Sequence, residues 1–203
     1  MEESQDVCRR EVVSFDARYF EKQKLKGNNF SIQHTFQHIN EINLWGSSES
    51  ASGEGSTASE TKELKLEIIK LFSELDIKHI VDAGCGDFSW LGSIDLTIDY
   101  LGYDVLSASI SMLQDLHKDK ENVNFYCDNF IEIELPQSDL IICRDCLVHL
   151  SFADIRKALL NFKRSGSKYL LVTNFKDCKL NEDIVTGDWR TLNFEMAPFD
   201  FPS

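Results

Sequence analysis

The spacing of apolar positions after residue 60 predicts strands that alternate with helices. Leucine and isoleucine residues give the segment 61–75 the wide apolar face of an amphipathic helix. Short apolar and β-branched runs predict strands at 78–83, 99–103, 123–127, 138–143 and 167–174. Periodic segments between them predict helices at 87–93, 106–117 and 151–162, the last with Ser151 as its N-cap. This alternation predicts an α/β fold, with a mostly parallel sheet and helices on both faces.

The chain ahead of this pattern is predicted to form a helical extension, residues 1–57, before a core at 58–203. A helical pattern near Val12 to Phe20 stops at Gly27. Apolar residues at helical spacing then predict a second amphipathic helix over 31–43.

The tract between that helix and the core is rich in serine and glycine, from Trp45-Gly46 to Thr57. One interpretation is a flexible linker, which such a composition often forms. The other is a lid or a loop that contacts a ligand. The Trp-Gly opening and the position directly before the core favour the lid.

The ends of the predicted strands carry polar residues and glycines. The first strand leads into Asp82-Ala83-Gly84-Cys85-Gly86, and glycines so spaced allow a tight turn with room for a ligand against the backbone. The second strand ends at Asp104 and the third at Asp128, and the fourth leads into Cys143-Arg144-Asp145. Because parallel strands end at one edge of a sheet, these groups are expected to meet there.

This succession of strand ends resembles the class I S-adenosylmethionine-dependent methyltransferases, over about residues 60–195. The resemblance implies a Rossmann-like sheet that binds S-adenosylmethionine. It implies that the glycine turn cradles the amino-acid end of the cofactor, that Asp104 binds both ribose hydroxyls, and that Asp128 contacts the adenine amino group. The full set of implied cofactor residues is Asp82, Gly84, Cys85, Gly86, Asp104, Val105, Asp128, Asn129 and Cys143.

The sequence differs at one place from the motif of dinucleotide-binding proteins and at another from the usual methyltransferase pattern. Phe88 stands where dinucleotide-binding proteins carry a third glycine, which argues against a pyrophosphate ligand. The family closes its sheet with a hairpin whose last strand is antiparallel, and the segment after 181 is short for one. Residues 190–195 are the candidate sixth strand, so the hairpin is expected to be incomplete.

Methyl transfer to a hydroxyl requires a group that removes the hydroxyl proton. Asp145 and His149 are four residues apart, so one helical turn would bring them to the same face as a general-base pair. His149 alternatively packs at the start of the next helix without a catalytic role. A divalent cation that acidifies the hydroxyl is the other route, but no ligand set indicates a metal site.

Arg144, Trp189 and Arg190 are the candidate substrate-binding residues. Arg144 follows the fourth strand and could hold a substrate or pair with Asp145. An aromatic ring such as that of Trp189 can stack on a sugar, although buried aromatic residues more often belong to the core.

The composition excludes several classes of partner. The net charge of −13 and the pI near 4.8 disfavour nucleic acid and an anionic membrane surface. No apolar run approaches a transmembrane span, and the acidic N-terminus is unlike a signal peptide. The six cysteines are scattered, which favours reduced thiols in a cytoplasmic compartment; Cys143-x-x-Cys146 has no second ligand pair.

Several segments together resemble a narrower group. They are Trp-Gly-Ser-Ser-Glu-Ser from Trp45, Cys-Gly-Asp-Phe-Ser-Trp from Cys85, Cys-Arg-Asp-Cys-Leu-Val-His from Cys143 and Thr-Gly-x-Trp-Arg from Thr186. Similar segments occur in small sugar O-methyltransferase domains associated with glycosyltransferases, including those of large algal DNA viruses. The resemblance implies a glycan hydroxyl as the acceptor, and the host cytoplasm as the location if the protein is viral. An N-methyltransferase for a small amine and a cofactor-binding module without turnover are the alternatives.

Overall fold

The structure, a computed structural model, describes residues 14–94 and 97–202. Its strands are β1 (His79–Ala83), β2 (Asp99–Asp104), β3 (Val123–Cys127), β4 (Leu140–Cys143) and β5 (Tyr169–Val172). They form one five-stranded sheet in the order β3-β2-β1-β4-β5, and every pairing is parallel. The predicted α/β fold, with its Rossmann-like sheet, is therefore confirmed.

Six helices accompany the sheet in the described ranges: α1 (Tyr19–Leu25), α2 (Ile32–Glu41), α3 (Lys62–Glu74), α4 (Ser89–Gly92), α5 (Ser107–Leu116) and α6 (Phe152–Arg164). The predicted N-cap of α6 is confirmed, because the Ser151 hydroxyl accepts a hydrogen bond from the Asp154 backbone N–H at 3.2 Å. None of these helices is both long and apolar enough to cross a membrane.

Apolar side chains cover both faces of the sheet. Successive residues of a strand point to opposite faces, and adjacent residues accordingly enter different cores. Val81 and Ile141 join one cluster, with Phe162 of α6, while Ile80 and Ile142 join the other. The near-continuous apolar runs that predicted these strands thus reflect burial on both sides.

The first helix is displaced from its prediction. The expected helix near Val12 to Phe20 begins only at Tyr19, while Val12 itself lies outside the described residues. Asp188, from the far end of the chain, explains the start: its carboxylate accepts the backbone N–H groups of Phe20 (2.6 Å) and Glu21 (3.1 Å). Tertiary capping of this kind leaves no local signal in the sequence.

The predicted sixth strand at 190–195 is wrong. In the described part of the chain the sheet ends at β5, and the segment that follows it, 173–202, contains no strand. Side-chain amides form hydrogen bonds with the backbone of this segment instead. The Asn181 side chain donates to the Asn193 carbonyl (2.8 Å) and accepts from the Asn193 N–H (2.9 Å). These local amide bonds compete with strand pairing.

Candidate active site

A cavity opens at the carboxyl edge of the sheet, where β1, β2 and β4 end. Its enclosed volume is about 80 Å³, and the wider concavity around it is open to solvent. Its walls are the glycine turn after β1, the segments after β2, β3 and β4, the serine-glycine loop, and one face of α2.

The turn after β1 has the glycine geometry that the sequence predicted. Gly84 and Gly86 have φ angles of +89° and +58°, a region that side chains rarely adopt. The N–H groups of Gly84 and Cys85 both donate to the Tyr103 carbonyl, at 2.9 and 3.1 Å. A Cβ atom on Gly84 would lie 2.7 Å from Sγ of Cys146, so the turn has no space for a larger residue.

Asp104 lies beside this turn and lines the cavity. Its Oδ2 accepts the Gly86 N–H and its Oδ1 accepts the Leu106 N–H, both at 3.0 Å. Burial raises the pKa of Asp104, while the backbone donors favour its charged form. Each carboxylate oxygen can accept a further hydrogen bond, so the pair can receive a diol.

Asp82 does not line the cavity. Its side chain is buried beneath the turn and accepts a hydrogen bond from the Tyr100 hydroxyl at 2.8 Å. Burial raises the pKa of Asp82 to about 7, and the hydrogen bond from Tyr100 opposes that rise. The structure therefore places Asp82 beneath the glycine turn rather than in the cavity wall.

The other implied cofactor residues divide into two groups. Cys85, Val105 and Asn129 line the cavity. Asp128 is exposed at the end of β3 and Cys143 is buried in the core, and neither is among the lining residues. Asp128 and Cys143 thus lie next to the cavity rather than in its wall.

The serine-glycine loop is docked on the glycine turn. The Ser50 hydroxyl and the Ala51 N–H donate to Oδ2 of Asp87 at 2.7 and 2.9 Å, and the Asp87 N–H donates to Ser52 Oγ at 3.0 Å. Ser52 also lines the cavity. The loop is therefore held against the glycine turn, and its role as a lid or ligand-contacting loop stays a prediction.

The residues after β4 do not form the helical turn that was expected to pair Asp145 with His149. Asp145 has a left-handed φ of +50°, and the next helical turn, of 3₁₀ type, covers only Leu147–His149. The Asp145 carboxylate instead binds Arg144 Nη2 (3.0 Å) through Oδ2 and the Thr173 hydroxyl (2.8 Å) through Oδ1. The predicted contact between the two candidate catalytic groups is absent, although both line the cavity.

His149 is held by a different partner. Its Nδ1 lies 3.1 Å from the Asp188 carbonyl oxygen, and its ring lies 4.7 Å from the ring of Trp45. Burial lowers the pKa of His149 to about 4, so the ring is uncharged at neutral pH. Because a carbonyl only accepts, the proton sits on Nδ1 and Nε2 keeps its lone pair.

Two of the three candidate substrate residues lie outside the cavity. The Arg190 guanidinium donates to the carbonyls of Leu147, Val148 and Leu150, at 2.6–3.0 Å, and is 7% exposed. It fixes the turn that carries His149 and lies outside the cavity wall, and its role in substrate binding stays a prediction. Trp189 packs against Phe175 and is also absent from the cavity wall.

Arg144 is the candidate substrate residue that does line the cavity. Its Nη2 donates to the Gly55 carbonyl at 2.6 Å, besides the bond to Asp145, and its guanidinium lies over the Trp90 ring at 5.3 Å. Arg144 thereby joins the serine-glycine loop to the end of β4.

Solved structures share this fold at low sequence identity. The [4+2]-cyclase SpnF matches with a TM-score of 0.59 and 16% identity, over 82% of this chain and 70% of that one. N-methyltransferase NodS from Bradyrhizobium japonicum WM9, in complex with S-adenosyl-L-homocysteine, matches with a TM-score of 0.52 and 16% identity, over 64% and 67%.

The methyltransferase domain of bacterial CtHen1 matches with a TM-score of 0.49 and 14% identity, over 55% of this chain and 65% of that domain. No protein-family model and no curated protein sequence matches the chain. The fold is that of the class I methyltransferases, and SpnF demonstrates that a cyclase shares it. The reaction must therefore be argued from the site.

Part of the cavity wall is apolar, and two of its residues, Ile32 and Phe36, had no site role predicted from the sequence. Ile32 and Phe36 of α2, with Trp45, form an apolar wall beside His149. Their sequence signals were present, as the apolar stripe of α2 and the Trp-Gly that opens the loop. What the sequence lacked was any sign that α2 packs over the carboxyl edge of the sheet.

The described residues contain no group of three or more histidine, cysteine, aspartate or glutamate side chains that could hold a metal ion. The described cysteines are free thiols, and Cys8 lies outside the described residues.

Proposed function

We propose that this protein is an S-adenosylmethionine-dependent O-methyltransferase whose acceptor is a hydroxyl of a sugar. One observation carries the proposal. A single cavity joins a glycine turn and a diol-binding carboxylate, Gly84–Gly86 and Asp104, to a second set of groups suited to a hydroxyl, Asp145 and His149.

The cofactor is assigned to the first part of the cavity. The turn at Gly84–Gly86 receives its amino-acid end, and the oxygens of Asp104 accept both ribose hydroxyls as charge-assisted hydrogen bonds. The adenine lies toward Val105 and Asn129, with Asp128 at its edge. When bound, S-adenosylmethionine supplies a methyl group already activated for transfer, so the protein mainly has to align the acceptor.

The acceptor is assigned to the second part. A hydroxyl is too weak an acid to ionise unaided, so a base must take its proton as the new bond forms. Neutral His149 offers the lone pair of Nε2 and Asp145 offers a carboxylate, and both line the cavity. Since burial lowers the pKa of His149 to about 4, its ring is uncharged at neutral pH and Nε2 carries a free lone pair, although the burial also makes that nitrogen a weaker base.

The sugar preference rests on the wall of this second part. The rings of Trp45 and Phe36 can stack on the apolar C–H face of a sugar. Arg144 and Asp145 on another side can bind its hydroxyls. The same assignment follows from the resemblance of the sequence to small sugar O-methyltransferase domains.

An amine acceptor is the second candidate, and the charge of the cavity favours it. Asp87, Asp104 and Asp145 line the cavity against one cation, Arg144. The negative charge of the cavity as a whole would attract a cationic amine, although Asp87 and Asp104 lie in the part assigned to the cofactor. An amine would need only to lose a proton before transfer, without a strong base.

The two candidates separate in a transfer assay with methyl-labelled S-adenosylmethionine. Purified protein is offered a panel of methyl glycosides and a panel of small primary amines, with and without a metal chelator. Label transferred to a glycoside and retained in chelator supports the proposal. Label transferred only to amines contradicts it, and binding of S-adenosylhomocysteine without any transfer supports a module that has lost turnover.

A further inference from the structure

Thr173, the residue directly after β5, makes two hydrogen bonds to Asp145 across the carboxyl edge of the sheet. Its Oγ1 accepts the Asp145 backbone N–H at 2.8 Å, and its hydroxyl donates to Oδ1 of Asp145 at 2.8 Å. Thr173 itself does not line the cavity. We propose that Thr173 is a positioning residue that holds Asp145 for the acceptor; the inference rests on the role proposed for Asp145.

The backbone of Asp145 explains why such a residue is needed. A left-handed φ of +50° is uncommon for residues other than glycine; aspartate tolerates it better than most, and the contacts of Thr173 hold Asp145 in it. Thr173 binds both the backbone and the side chain of Asp145. One hydroxyl can do this because it is a donor and an acceptor at once.

The carboxylate is thereby fixed on two sides. Oδ1 is held by Thr173, and Oδ2 by Arg144, which also binds the loop carbonyl of Gly55. The rotamer of Asp145 therefore depends on one residue from β5 and one from its own segment. Without Thr173, Arg144 alone would hold the carboxylate.

Thr173→Val and Thr173→Ser form a matched pair that tests this role. Valine keeps the shape of threonine but cannot bond, whereas serine keeps the hydroxyl. We expect Thr173→Val to lower kcat for the glycoside found in the transfer assay by about tenfold to a hundredfold, the usual cost of misplacing a reacting group. We expect affinity for S-adenosylhomocysteine to be unchanged, and Thr173→Ser to restore kcat to within about threefold of the parent, since it keeps both bonds.

A second measurement needs no substrate. The Asp145 amide loses its acceptor in Thr173→Val, so its hydrogen exchange, followed by NMR, should accelerate at least about tenfold, while serine should keep the parent rate. Parent-like exchange or parent-like kcat in the valine variant would overturn the proposal, as would failure of serine to restore either. Asp145→Asn turning over at the parent rate would instead refute the proposed catalytic role of Asp145, whatever the exchange data give for Thr173.

Discussion

The two parts that we assign to the cavity, one for the cofactor and one for the acceptor, are built in different ways. The cofactor part uses the ends of neighbouring strands, and Gly84 and Asp104 reach it through short turns with backbone hydrogen bonds. The acceptor part is assembled from three remote segments: Phe36 comes from α2, His149 follows β4, and Asp188 from the C-terminal segment orients His149. Contacts between the ends of neighbouring strands hold one part, whereas contacts with α2 and the C-terminal segment hold the other.

Charge follows the same division. Asp87 and Asp104 make the cofactor part anionic, which suits a sulfonium cofactor. In the acceptor part, Asp145 is paired with Arg144 and His149 is uncharged at neutral pH. A change in the acceptor part should therefore affect turnover, whereas a change in the cofactor part should affect binding and folding.

The largest expected effect is on turnover. Asp145→Asn and His149→Ala should each lower kcat by roughly two to four powers of ten, the usual size of a general-base contribution. Affinity for S-adenosylhomocysteine, measured by calorimetry, should be unchanged because neither residue touches the cofactor part. If both variants keep the parent rate in the presence of chelator, the hydroxyl mechanism is wrong and the amine acceptor becomes the better hypothesis.

The next effect concerns the glycine turn and has a matched control. Gly84→Ala and Gly27→Ala introduce the same side chain at nearly the same φ, +89° and +87°. The Cβ atom at 84 meets Cys146 Sγ at 2.7 Å, whereas nothing lies within 4 Å at 27. Backbone strain alone should cost about 1 kcal/mol at Gly27, and strain with the steric conflict about 3 kcal/mol at Gly84.

Urea unfolding measures the loss of stability in each of the two variants. Calorimetry should show a loss of cofactor binding for Gly84→Ala alone. Equal losses of stability in the two variants would mean that the turn relaxes around the new methyl group.

Asp104→Ala should weaken S-adenosylhomocysteine binding by about 2 kcal/mol, as expected when hydrogen bonds to a charged group are removed. Asp104 also accepts the Gly86 N–H, so its removal could loosen the glycine turn as well as remove contacts with the ligand. Thermal unfolding without ligand separates these two effects. Asp128→Ala, at the exposed end of β3, is the comparison, and a larger loss there than at Asp104 would reverse the two assignments.

The part of the site at the strand ends could be predicted from the sequence, whereas the part built from remote segments could not. The ends of β1 and β2 were predictable because consecutive parallel strands end at one edge, which places Gly84 and Asp104 together. The wall made by Phe36 was not, since helix periodicity shows which face is apolar but not what it packs against. The contacts of Arg190 with the carbonyls of Leu147 and Val148, 43 and 42 residues away, were not predictable either, since nothing local in the sequence indicates them.

The smallest effect is in the pH dependence of stability, to which Asp82 and His149 should make contributions of opposite sign. Burial raises the pKa of Asp82 from 3.8 to about 7, so the folded state holds a proton that the unfolded state has lost. This stabilisation is complete below pH 3.8 and is lost as the pH rises through about 7. Between pH 6 and 8 the loss amounts to about 1 kcal/mol.

His149 has the opposite sign. Its pKa falls from 6.5 to about 4 on folding, so its stabilisation is complete above pH 6.5 and is lost as the pH falls through about 4. Raising the pH from 6 to 8 therefore gains about 1 kcal/mol. In the parent the two contributions nearly cancel; Asp82→Asn should leave stability that rises with pH, and His149→Gln stability that falls. Parallel pH profiles of the two variants in urea unfolding would show that neither group titrates as its burial requires.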